Sequence, residues 1–204
     1  MSEGAIYVAV EGPIGVGKTT LVNGLRKRMK ARLVLEVVEE NPFLSAFYAD
    51  RHRYAFQTQL FFLMSRFKQQ EELHQADLFR PNVVADYHLL KDRIFARLTL
   101  QDAELALYER VFTSLEKTIL QPDVLVYLHA NHDILMQRIA RRDRPFERDF
   151  DPEYLRGLSD AYRHYFAHYD RTPLLPLDTT QIDYVADETE IDRIFEQVLD
   201  LAGR

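Results

Sequence analysis

The chain has 204 residues, 47% hydrophobic and 28% charged; this balance excludes a disordered or fibrous protein and allows one buried core without disulfides or a structural metal. Lys and Arg number 26 against 32 Asp and Glu, a formal charge of −6, so the overall field opposes long nucleic acids and anionic membrane surfaces, and any bound anion must be met locally. Cysteine is absent, which rules out a disulfide framework, a thiolate nucleophile and Cys-ligated zinc, and fits a cytoplasmic setting.

The first apolar run, Ala5–Val10, is too short for a signal core or a membrane span and reads as a strand. Leu21, Val22, Leu25 and Met29 then recur at helical spacing. Further β-rich runs at Leu33–Val38, Asn82–Asp86, Asp123–Leu128 and Leu174–Leu177 alternate with helix-length stretches, residues 53–75 and 101–119 among them. Such alternation predicts a three-layer α/β fold, a five-stranded parallel sheet with helices on both faces. No repeat or linker divides the chain, so a single domain over residues 1–204 is expected. Ligands of these sheets bind beyond the carboxyl ends of the strands. Those positions hold a Gly-rich turn after the first strand, Glu36 and Glu39 around the end of the second, and Asp86 closing the third.

The turn reads Gly12-Pro13-Ile14-Gly15-Val16-Gly17-Lys18-Thr19-Thr20, a match to G-x-x-x-x-G-K-[ST] between a strand and a helix. In that setting backbone N–H groups turn inward around phosphates and the helix N-terminus adds its partial positive charge. The pattern places Lys18 on the β- and γ-phosphates of ATP and the Thr19 hydroxyl on Mg²⁺. No N-K-x-D string is present, which speaks against a guanine-nucleotide switch.

Residues 138–148 carry five Arg against Asp143 and Glu147, a local +3 in an acidic chain. Arg138 and Arg142 share one face of a helix starting near His132, and Arg144-Pro145 is expected to end it. An always-charged guanidinium suits a phosphoryl group in transit, so residues of about 141–150 read as a lid, with Arg138, Arg142 and Arg144 on the phosphates.

The loop, the segment Glu36-Val37-Val38-Glu39-Glu40-Asn41-Pro42-Phe43-Leu44, the helix Phe56-Gln57-Thr58-Gln59-Leu60-Phe61-Phe62, the turn Ala85-Asp86-Tyr87-His88 and the segment Arg142-Asp143-Arg144-Pro145-Phe146-Glu147 together resemble the deoxynucleoside kinase family, in particular its bacterial deoxyguanosine and deoxyadenosine kinases. The resemblance implies transfer of the ATP γ-phosphate to the 5′-hydroxyl of a purine deoxynucleoside in nucleotide salvage. It assigns Glu36 to the 5′-hydroxyl as general base, and Asp86 to the metal or the proton. It places Tyr48 and Glu147 on the sugar, and Gln59, Arg66, Tyr87 and Asp92 around the base. Arg66 follows Gln59 by two helical turns and so shares its face. A homodimer built on residues 53–75 and 101–119 is also implied, with Leu60, Leu63, Met64 and Phe67 serving either core or interface.

The departure is Tyr87-His88, where many members carry Arg-Ser or Arg-Thr. The deoxyguanosine-kinase-like branch shares this form, which points to deoxyguanosine ahead of deoxyadenosine. The missing positive charge is expected from Arg142 or Arg144. The other histidines, His52, His74, His129, His132, His164 and His168, show no zinc spacing. Two rival readings share the loop. A nucleoside monophosphate kinase would need cations where this chain offers Glu36, Gln59 and Tyr48, and a non-catalytic nucleotide-binding module would not need an intact set of Lys18, Thr19, Glu36 and Asp86.

Overall fold

The computed structural model describes residues 4–75, 82–148, 150–182 and 188–204. The side chain of His74, and Asp149 within the segment 141–150, lie outside the described residues. In chain order the elements are β1 (Tyr7–Glu11), α1 (Lys18–Met29), β2 (Arg32–Val34), α2 (Leu44–Ala49), α3 (Arg51–Gln75), β3 (Val83–Ala85), α4 (Leu90–Thr99), α5 (Asp102–Glu116), β4 (Val124–His129), α6 (His132–Arg142), a 3-10 turn (Pro145–Glu147), α7 (Pro152–Phe166), β5 (Leu174–Asp178) and α8 (Thr189–Leu201).

The five strands form one sheet in the order β2-β3-β1-β4-β5, all parallel, with Val8 of β1 beside Val84 and Val124. Parallel strands buried on both faces read as continuous apolar runs, as β1 and β4 do. Alternate residues point to opposite faces. Val8, Val10, Val124 and Val126 cluster with Leu21 and Leu25 of α1 and Ile191 of α8, whereas Leu125 and Tyr127 meet Leu158, Tyr162 and Phe166 of α7. Because β3 and β4 flank β1 while the chain runs outward on both sides, the crevice of an open α/β sheet falls at the carboxyl end of β1. Among the described residues no helix is long and apolar enough to cross a membrane.

Strands β2 and β3 are shorter than their apolar runs, because side chains take over from the backbone ladder. Strand β2 stops at Val34 rather than Val38: Val34 C=O still accepts from Asp86 N–H (3.1 Å), but the next amide along this edge, Glu36 N–H, donates to the Asp86 carboxylate (2.7 Å). Glu36 therefore stands beyond the strand, in a loop that leaves the sheet. At the other end of β3, the Asn82 amide ties Ile6 N–H (2.9 Å) and Met29 C=O (2.8 Å). Strand β1 runs one residue further than its apolar stretch, so Glu11 belongs to the strand and points into the protein, 1% exposed. Helix α6 ends at Arg142, two residues before the expected stop, because Asp143 adopts the left-handed conformation (φ 47°) that short polar side chains tolerate. Helices α3 and α5 correspond to the two long helical stretches; Leu63 is fully buried in the core, whereas Met64 is exposed.

Candidate active site

The Gly-rich turn occupies the carboxyl end of β1. Gly12 has φ 151°, and a Cβ there would stand 2.3 Å from the Leu128 carbonyl, so the turn can lie against β4 only without a side chain. Gly17 caps α1 with φ 100°, aiming the helix N-terminus at the loop. Lys18 Nζ curls back to donate to the carbonyls of Gly12 (2.7 Å) and Pro13 (3.1 Å). Burial, with help from the nearby Lys91 charge, pushes its ammonium down to about 8. Beneath the loop, Glu11 accepts from Gly12 N–H (3.2 Å), Tyr162 O–H (3.2 Å) and His88 N–H (2.5 Å), and burial holds its carboxyl above the usual range. Glu11 thus locks the loop to the start of α4.

Outside the loop lies a cleft of about 630 Å³, lined by Gly15, Val16, Gly17, Lys18, Thr19 and Thr20 and walled by Arg138, Arg141 and Arg142 of α6. Loop amides and arginines around an open cleft suit a polyphosphate. Arg138 also braces the wall, donating to the carbonyls of Val16 (3.3 Å), Thr179 (2.8 Å) and Ile182 (3.1 Å).

A second, tighter space of about 110 Å³ lies inward, lined by Glu36, Tyr48, Gln59, Arg66, Asp86, Lys91 and Glu147, with Phe62, Phe95 and Tyr162 supplying flat apolar walls. Lys18, Thr19 and Arg142 line both spaces, so the two meet at the front of the loop. Within the inner pocket Glu36 takes Arg66 on one carboxylate oxygen and Lys91 Nζ on the other (2.6 Å). Burial alone would raise the Glu36 carboxyl, but the Arg66 and Lys91 charges outweigh it and hold it far below the usual carboxylate range. Arg66 is in turn ion-paired to Asp92, which is fully buried behind it, and lies over the Phe62 ring (4.5 Å). Asp86 shows the opposite perturbation, raised by burial and by the Glu36 charge.

The arginine segment folds over this pocket. Arg142 pairs with the buried Glu147 (2.6 Å), Arg144 reaches Glu39 across the opening (3.2 Å), and Phe146 stacks on Tyr48 (5.8 Å between centroids, 17° between planes). Arg142 and Arg144 are thus held by acids other than Glu36.

Most residues expected at the site are brought together, whereas Tyr87 and Asp92 line neither space. Tyr87 is a core residue: fully buried beside Tyr7 and Ala9, it donates its O–H to Gln69 (2.7 Å) and lines neither space. An aromatic ring immediately after a strand alternates back into the sheet face, which a reading of motif order does not register. The cations on Glu36 are Arg66 and Lys91, not Arg142 or Arg144. Lys91 and Glu11 went unnoticed, since a lysine in a helix reads as surface and a glutamate before a Gly-rich turn reads as part of it. The available signal was position, for Glu11 closes β1 and Lys91 lies in the first turn of the helix that follows β3.

His88 is 1% exposed, accepts at Nδ1 from Leu90 N–H (3.3 Å), and has no hydrogen-bond partner at Nε2 among the described residues. Burial, helped by Arg171, pushes its imidazole down to about 3. The folded value lies below the ordinary value of about 6.5, so between these values the unfolded chain binds the extra proton and stability falls as pH drops from 6.5. The loss reaches about 2 kcal/mol at pH 5. Glu11 and Asp86, both raised, act with the opposite sign, so the readout is the difference between two proteins. Thermal melts at pH 7 and pH 5 should show a smaller acid loss in His88→Asn than in the parent; equal losses would clear His88 of this role.

Comparison with known proteins bears on this geometry. The sequence model of the deoxynucleoside kinase family matches residues 8–202. A deoxyguanosine kinase of Bacillus subtilis is 34% identical, covering 97% of this chain and 98% of its own. A deoxyadenosine/deoxycytidine kinase of the same organism is 31% identical over 94% of this chain and 90% of its own. The solved structure of a deoxyadenosine kinase from M. mycoides with bound dCTP superposes with a TM-score of 0.83 at 25% identity, covering 96% of this chain and 100% of that one.

Proposed function

The chain belongs to the deoxynucleoside kinase family, and we propose that it transfers the γ-phosphate of ATP to the 5′-hydroxyl of a purine deoxynucleoside, deoxyguanosine ahead of deoxyadenosine. One observation carries this reading: the loop-lined cleft and the acid-bearing pocket meet at Lys18, Thr19 and Arg142, so a phosphate in the first and a hydroxyl in the second face each other across those residues. Lys18 and the loop amides hold the triphosphate, with Arg138 shaping the cleft wall and Arg142 and Arg144 closing over the transferred group.

Glu36 receives the 5′-hydroxyl. Held ionised by two cations, it is a permanent acceptor but a weak base. That suffices, because a loose phosphoryl-transfer transition state develops the alcohol's acidity late. Thr19 and Asp86 both line the inner pocket, and a hydroxyl plus one carboxylate is the sparse oxygen set that suits Mg²⁺ shared with phosphates; the ion would supply charge neutralisation there. Tyr48 and Glu147 take the sugar, with Phe146 stacked on Tyr48 as the lid of residues 141–150 closes. On the base, the Gln59 amide can pair with either purine, and Arg66, held between Glu36 and Asp92, forms the wall beside it. The Bacillus relative named for deoxyguanosine also shares more identity than the one named for deoxyadenosine and deoxycytidine. A homodimer through α3 and α5, where Met64 and Leu107 present exposed apolar side chains, belongs to the same reading, as do a single kinase domain and a cytoplasmic setting.

The test is transfer of labelled γ-phosphate from Mg-ATP to the four deoxynucleosides, their 5′-monophosphates and ribonucleoside controls. Labelling of deoxyguanosine first and deoxyadenosine second is expected. Labelling confined to the monophosphates would reassign Glu36 and overturn the proposal.

A further inference from the structure

We propose that Lys91 is a catalytic cation of this kinase: it orients the Glu36 carboxylate and faces the 5′-oxygen while that oxygen attacks the γ-phosphorus. The proposal rests on the acceptor reading above and adds a residue to it.

Four observations place Lys91 in this role. Its Nζ donates to one Glu36 oxygen at 2.6 Å, and an ammonium keeps further N–H groups for a second acceptor. The side chain is 5% exposed yet lines the inner pocket together with Lys18 and Asp86, so its charge is aimed at a substrate space rather than at solvent. Its position is fixed from below: Lys91 stands in the first turn of α4, its backbone N–H donates to His88 C=O (3.1 Å), and Nζ lies 5.8 Å from the centre of the Phe95 ring. Finally, the other cations near Glu36 are committed. Arg66 shares the Glu36 carboxylate but is held from behind by buried Asp92, Arg142 is on Glu147, and Arg144 is on Glu39. The electrostatic reach agrees, since the Lys91 charge bears on Lys18 where the two spaces meet, on Asp86 in the inner pocket and on Glu11 beneath the loop.

A purely structural lysine is the competing account, in which Lys91 serves only to make a buried Glu36 tolerable. A buried ion pair is weak evidence for stability, because apolar groups of similar volume often do as well. A lysine kept at the wall of a polar pocket is better explained by what enters the pocket. In the transfer step the bond from the 5′-oxygen to the γ-phosphorus forms, and the bond from that phosphorus to the β–γ bridging oxygen breaks. Its electron pair leaves with ADP, and the hydroxyl proton goes to Glu36. Lys91 takes no part in that proton transfer and offsets the negative charge on the attacking oxygen and the incoming phosphoryl group.

The experiment compares parent, Lys91→Met and Lys91→Arg in steady-state transfer from Mg-ATP to deoxyguanosine across pH, with thermal melts and deoxyguanosine titration calorimetry on each. Lys91→Met should lower kcat about 100-fold, the effect of removing one preorganised charge donor, with KM for ATP within about threefold. Lys91→Arg should recover to within about tenfold of the parent, since it restores the charge with a different shape. A Lys91→Met enzyme that keeps its kcat, or loses it with no recovery in Lys91→Arg, overturns the proposal. Should the methionine variant fail to fold, Lys91→Gln is read by the same criteria. A parent that labels no deoxynucleoside refutes the acceptor reading itself, and the proposal falls with it, whereas an active parent with an unaffected variant refutes the role of Lys91 alone.

Discussion

Lys18→Met is expected to lower kcat by about 1,000-fold, some 4 kcal/mol of transition-state stabilisation, while deoxynucleoside affinity stays within a few fold. The reason is geometric. Lys18 stands at the junction of the two spaces with its ammonium over the loop carbonyls of Gly12 and Pro13, the place where charge must be neutralised when the γ-phosphoryl leaves ADP. None of the inner pocket's sugar- or base-side groups, Tyr48, Gln59 and Glu147, depends on it. Stability should change little, because burial already disfavours the Lys18 charge and methionine fills the same volume without it. Rapid-mix transfer assays, calorimetry with deoxyguanosine and thermal melts measure the three quantities. A variant within tenfold of the parent in kcat would remove Lys18 from the reaction.

Glu36→Gln is expected to cost about 1,000-fold in kcat, within the usual range for a positioned proton acceptor, and also about 3 kcal/mol of stability, because Arg66 and Lys91 would face each other across a neutral amide. The stability component carries its own pH signature. The Glu36 carboxyl sits below its ordinary value of 4.5 in the folded protein, so its contribution is complete above that pH and is lost as pH falls toward the folded value. The gap in melting temperature between parent and Glu36→Gln should therefore be constant near neutrality and narrow below about pH 4.5. Asp86→Asn is the control for the chemistry. If it abolishes transfer while Glu36→Gln retains it, the proton acceptor is Asp86, whose carboxyl burial raises.

Both variants bear on residues legible before any coordinates. The Gly12–Thr20 string carries its chemistry locally, because a strand, glycines free to turn inward and a helix start lie within one stretch of chain, and the structure reproduces that arrangement. The alternation of apolar runs with helical stretches likewise foreshadowed the parallel sheet, since strands buried on both faces have no other way to be connected. Strand ends were read less well. A β-rich run continues in composition after its backbone partners have gone, and in β2 the decisive event is a side-chain bond from Asp86, distant in sequence.

The amino-acid sequence by itself determined the phosphate loop and the fold class, and strand-end position pointed to Glu36 and Asp86, whereas Gln59 rested on the family resemblance alone. Only the tertiary structure decided which charges face which. It set Lys91 rather than a lid arginine on Glu36, turned Tyr87 into the core, and buried Glu11 beneath the loop. Ion pairing in a buried site depends on distances of a few ångströms between α3, α4 and the loop after β2. Periodicity along a chain can say which face of an element a residue occupies; which opposing charge lies within reach of it follows from how the elements pack.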